Sequence, residues 1–116
     1  MKTIDPSQVQ EKLNELSGET VYVHLETTNG AYANHNDKAF FSAGAFIRNA
    51  QLRYIHGKIA GSGPYRVGLE TEIGWLYAEG LTDWEIDEED RVLMAGHDES
   101  GRLAVALELS QKPFRK

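Results

Sequence analysis

From Val21 to Leu109 the apolar residues recur, in stretch after stretch, at every second position. A period of two belongs to β-strands with one face in a core and one face wet, and it excludes long helices from most of the chain. In 20–27, Val21, Val23 and Leu25 point one way and Tyr22, His24 and Glu26 the other. In 103–109, Leu103, Val105, Leu107 and Leu109 are expected inward, and Ala104, Ala106 and Glu108 outward. Similar runs lie at 40–48, 65–69, 75–80, 84–86 and 91–95. The segment 51–59 reads as a hairpin around His56-Gly57. Turns are expected at Thr28-Asn29-Gly30, Gly61-Ser62-Gly63-Pro64, Asp87-Glu88-Glu89-Asp90 and Asp98-Glu99-Ser100-Gly101, and an irregular loop at 31–39.

Before Gly18 the period is helical. Asp5 sits at the N-cap, Pro6 at the first helical position, and Val9, Leu13 and Leu16 form one narrow apolar stripe. Ile4 and Val9 are placed to staple the entry, and Gly18 ends the helix, which spans about 5–17. The connections beyond residue 40 are too short for the crossovers that parallel strands need. The expected fold is mainly β: an antiparallel small barrel or sandwich of about eight short strands with one N-terminal α-helix. The helix would cover an open barrel end or a sheet edge. At 116 residues this is one domain, 1–116, with strands from about 20 to 110 and a polar tail, 111–116, that frays.

Composition removes several function classes. There is no cysteine, hence no disulfide, thiolate metal site or thiol nucleophile. No apolar run approaches a membrane span, and the polar N-terminus lacks a signal-peptide pattern, so a cytoplasmic protein is expected. Net charge is −6, which argues against nucleic-acid binding. The charge is uneven: residues 38–69 carry Lys38, Arg48, Arg53, Lys58 and Arg66 and no acid, whereas 70–99 carry many acids and one base, Arg91.

Three constellations can carry chemistry. The first pairs the Tyr22, His24, Glu26 face with the Trp75, Tyr77, Glu79 face. If they adjoin, an imidazole meets carboxylates, as acid–base catalysis by His24, Glu26 and Glu79 requires, or a ligand stacks among the aromatics. The second is metal binding, with His24, His97 and Asp98 as candidates and His35, His56 and Asp37 as further ligand types. No diagnostic ligand spacing is present, and no cofactor is expected. The third is anion binding by Arg48, Arg53 and Arg66, each able to grip a carboxylate or phosphate. Each also has a plain structural account: wet strand faces, capped turns and ion pairs with the acidic half. No Gly-x-Ser-x-Gly elbow or phosphate loop is present.

The segments VYVHLETTNGAYA (21–33), AGAFIRNAQLRY (43–54), PYRVGL (64–69), GWLYAEGLTDWE (74–85), LMAGHD (93–98) and GRLAVAL (101–107) together resemble the YojF family of small bacterial proteins. The resemblance implies a compact, barrel-like β fold and a bacterial protein of unknown function, and transfers no site residue. It further implies an accessory role beside a LmbE-type deacetylase in low-molecular-weight thiol metabolism. The patterned β core, the absence of catalytic motifs and the complementary charge of the two halves lead to the expectation of a non-catalytic binding module, a homodimer in one form. A small His/carboxylate enzyme, metal-dependent or not, and a binder of small anions are the alternatives.

Overall fold

The computed structural model describes residues 1–28 and 44–116. The turn expected at Asn29-Gly30, the loop at 31–39, the start of the 40–48 strand, and His35, Asp37 and Lys38 lie outside the described residues. The elements are β1 (Lys2–Thr3), α1 (Pro6–Leu16), β2 (Val21–Thr27), β3 (Ala45–Leu52), β4 (His56–Ala60), β5 (Tyr65–Glu70), β6 (Trp75–Leu81), β7 (Asp83–Ile86), β8 (Val92–His97) and β9 (Leu103–Ser110). All described pairings are antiparallel. They form a six-stranded sheet, β1-β7-β8-β9-β2-β3, and a three-stranded sheet, β4-β5-β6. The sandwich alternative holds, and neither sheet closes into a barrel.

The core lies between the sheets and under α1: Val9, Leu13 and Leu16 meet Val21, Val23, Val67, Leu69, Met94, Leu107 and Leu109. The helix forms where its punctuation places it. The Asp5 carboxylate accepts the Ser7 and Gln8 N–H groups at 3.0 and 3.2 Å, and Gly18 takes φ +81°. The helix also guards a sheet edge. The Gln10 side chain accepts the Ile59 N–H at 3.0 Å and donates to the Gly57 carbonyl at 2.7 Å. An amide side chain thus stands in for the strand that β4 lacks on that side.

Three expectations need correction. His56-Gly57 is not a hairpin turn: His56 opens β4, which pairs with β5 and not with β3. The cause is Tyr54, which drops fully into the core and donates its hydroxyl to the Leu13 carbonyl at 2.5 Å. That anchor carries the chain from one sheet to the other, and the same burial raises the hydroxyl pKa. Leu103, expected inward, is exposed at the start of its strand, and Ala106, expected outward, is nearly buried. The tail is also pinned, as described below. A strand glycine marks the corner between the two sheets. Gly80, at φ +84°, sits in a bulge opposite Arg66, and just beyond it the chain leaves β6 for β7 in the other sheet.

Candidate functional site

The His24 cluster is built on the outer face of the large sheet. His24 lies opposite Glu108, whose neighbours Leu107 and Leu109 point into the core. On the other side the register slips: Val23 pairs with Ala50 and His24 with Arg48, so Asn49 is the extra residue of a β-bulge, at φ +63°. Asn tolerates this left-handed backbone better than most residues. The bulge brings Arg48 beside His24. Arg48 Nη1 lies 3.3 Å from His24 Nδ1, and Glu26 Oε1 lies 3.2 Å from Nε2. A guanidinium only donates, so Nδ1 accepts and Nε2 carries the proton it gives to Glu26. Both ring nitrogens are thereby engaged.

The C-terminal tail completes the cluster. Asn49 donates to the Phe114 carbonyl and accepts the Phe114 N–H, both at 2.7 Å. Arg48 Nε donates to the Arg115 carbonyl at 2.7 Å. Two guanidiniums lie against the Phe114 ring, with Arg48 Cζ at 4.9 Å and Arg91 Cζ at 5.6 Å from its centroid. Phe46 meets the imidazole edge-on at 5.2 Å and remains 66% exposed. His24 is left 6% exposed although it stands on an outer face. Beside it an open cleft of about 640 Å³ is lined by Glu26, Phe46, Arg48, Glu108 and Lys116.

Trp75, Tyr77 and Glu79 lie on the other sheet. Their strand is not paired with β2, so the two polar faces do not meet. Alternation explains the mismatch. Leu25 and Thr27, the opposite face of β2, share a cleft of about 730 Å³ with Tyr77 and Glu79. On the outer face of the small sheet Trp75 and Tyr77 are parallel, 5.5 Å between centroids and 5° between planes. Arg66 caps Tyr77 at 5.0 Å and is ion-paired with Glu79. Tyr77 leans over Gly68, where an added Cβ would lie 2.9 Å from the ring. Arg48 and Arg66 therefore serve separate sites, and Arg53 is exposed on the β3–β4 connection. Tyr22 shares the outer face of His24 and is half-buried.

His97 and Asp98 are not brought to His24. His97 pairs with Leu103 and His24 with Glu108, roughly 16 Å apart along β9. His97 Nδ1 lies 2.8 Å from Asp83. Asp98 closes its own turn, accepting the Ser100 and Arg102 N–H groups at 2.9 Å and Arg102 Nε at 3.0 Å. Asp87 makes the same set of contacts to Glu89 and Arg91. Among the described residues no group of three His, Asp and Glu side chains is arranged to hold a metal ion. No helix among them is long and apolar enough to cross a membrane.

The Arg102 backbone N–H, above all, holds the Asp98 carboxyl below its ordinary pKa. A folded-state pKa below the unfolded one gives stability that is present above about pH 4 and lost as pH falls further. The D98N variant is expected to show a shallower loss of melting temperature between about pH 5 and 3. An unchanged slope would mean that the turn does not feel this ionisation.

The architecture defines a class: an antiparallel β sandwich, one edge capped by a helix, with a buried histidine held under its own C-terminal tail. The chain belongs to the family described as "Protein of unknown function (DUF1806)", whose model matches residues 3–114. The uncharacterized protein YojF of Bacillus subtilis is 52% identical over 114 residues, 98% of each chain. The crystal structure of Bacillus subtilis YojF superposes with a TM-score of 0.83 at 49% identity, covering 99% of this chain and 97% of that one. The resemblance read from the sequence segments is thereby shown.

The sequence pointed to His24, Glu26 and Arg48 but missed Asn49, Phe46, Glu108 and Phe114. Asn49 had a readable signal, a turn-type residue inside a strand pattern. Phe114 had only its isolation as the one apolar residue of a polar tail.

Proposed function

We propose that the protein is a non-catalytic binding module that holds the anionic end of a small ligand in the cleft beside His24. The observation that carries this is the state of Arg48. Among the described residues, two of its five N–H donors are engaged, on Arg115 and His24, which leaves three to turn toward a carboxylate or phosphate in a cleft that Arg48 lines. Glu26 and Glu108 on the cleft walls favour a ligand whose other end donates hydrogen bonds, an ammonium or hydroxyl group. A thermal-shift panel of phosphate, dicarboxylates and amino acids tests it. A ligand at a hundred times its Kd raises stability by about 2.7 kcal/mol. A clear rise that R48A abolishes is expected. No rise at millimolar ligand, or a rise kept by R48A, overturns the proposal.

The enzyme alternative has one observation in its favour, the His24–Glu26 contact. As a base His24 would need a free lone pair, and the one on Nδ1 is covered by Arg48. Hydrolytic turnover lost in H24A would favour that alternative. The accessory role extends the proposal to the cytoplasm and to two partners, a LmbE-type deacetylase and a second copy of the chain. Sedimentation alone and with the deacetylase tests both; a monomer that never binds it removes both contacts.

A further inference from the structure

We propose that the open face of Trp75 is a docking platform for an arginine of a basic partner segment. The outer face of the small sheet is a grid fixed by register: His56, Glu70 and Trp75 in one row, Lys58, Gly68 and Tyr77 in the next. Arg66 and Glu79 lie beyond Tyr77. Arg66, Tyr77 and Trp75 thus form a ladder: the two rings are parallel, and a guanidinium lies over Tyr77.

The ladder supplies its own template. At the closed end a guanidinium lies on an aromatic face and is neutralised by a carboxylate, Glu79. The open end repeats two of those three parts. Trp75 is 55% exposed, and Glu70 stands directly across from it. Glu72, in the adjoining turn, adds a second exposed carboxylate, and Lys58 stands a row away beside Gly68. Among the described residues, the missing part is the cation. Ile73, 97% exposed at the tip of the same turn, gives the flanking apolar contact that a peptide backbone or aliphatic stem covers. Tryptophan is the strongest aromatic partner for a cation, and a planar guanidinium stacks where an ammonium cannot. The platform lies on the opposite sheet from the His24 cleft and does not depend on it.

Trp75 also provides the readout, because the only other tryptophan, Trp84, is buried. The test is fluorescence titration of the intact protein with the peptides acetyl-(Gly-Arg)4-amide, its lysine analogue and its glutamate analogue. Saturable quenching by the arginine peptide is expected, with at least about threefold weaker binding of the lysine peptide and none of the glutamate peptide. E70Q/E72Q should weaken binding several-fold and flatten its salt dependence. Calorimetry on W75A, which lacks the reporter, should show at least about a tenfold loss. Trp75 packs no core, so circular dichroism of W75A should match the parent. No saturable response, equal response to the glutamate peptide, or undiminished binding by W75A overturns the proposal. So does a dimer that W75A converts to monomer, since the occupant would then be a second copy.

Discussion

Replacing Gly96 by alanine is expected to destabilise the protein by at least roughly 3 kcal/mol, a fall in melting temperature of about 12 °C for a domain of this size. The reason is backbone, not side chain. A Cβ at Gly96 would run into the Gly80 carbonyl oxygen and come within 2.6 Å of Val105. Gly80 lies one residue from the end of β6 in the small sheet and Gly96 belongs to the large one, so the clash falls where the two sheets join. Nearby, the Thr82 N–H donates to the Ala95 carbonyl at 2.9 Å and the Ile4 N–H to the Thr82 carbonyl at 3.0 Å. A flexible side chain would rotate away, whereas backbone next to the hydrogen-bonded Thr82 moves only by parting the strands. Gly101→Ala is the matched control. It also removes a glycine, at φ +80°, but nothing lies within 4 Å of the new methyl. It should show the strain of the left-handed backbone alone, about 1 kcal/mol. Thermal unfolding followed by circular dichroism measures both. A G96A loss no larger than that of G101A would show that the sheets are not locked at this corner.

Local chemistry made the helix and most strands legible. Asp5, Pro6 and Gly18 act within a few residues of themselves, and alternation needs only the strand that shows it. Contacts between distant segments were not legible. Alternation says that His24 and Glu26 share a face, and the 3.2 Å contact agrees. It does not say which strand lies across from that face. Tyr77 and Glu79 come near β2, but on the side of Leu25 and Thr27. Likewise the segment from Gln51 to Ile59 has hairpin punctuation, and only the burial of Tyr54 beneath α1 reveals that the chain changes sheets there. The turns at 87–90 and 98–101 were legible too, because each is closed locally, by an Asp whose oxygens meet groups within four residues.

The tail is the clearest case of distant control, and Phe114→Ala is expected to remove it. Burying a phenylalanine contributes roughly 2–3 kcal/mol, and the two guanidinium contacts add about 1 kcal/mol. Part of that is regained because a short tail can swing out and leave no enclosed void. A net loss of about 2–3 kcal/mol follows, with amide exchange at 111–116 rising to coil rates. Asn49 supplies the independent check. N49G keeps the φ of +63° accessible but deletes both hydrogen bonds to Phe114, at about 1 kcal/mol each. N49A deletes them and adds backbone strain of roughly 1–2 kcal/mol. If Asn49 acts by holding the tail, F114A and N49G remove the same contact, and the double variant loses little beyond the worse single one. Strict additivity would separate bulge from tail. The consequence reaches the cleft, because Arg48 loses its Arg115 carbonyl and the ring beneath its guanidinium together. Any ligand that needs Arg48 in place should therefore bind F114A more weakly, whereas R48K, which keeps the charge without the fork, should leave the tail ordered through Asn49.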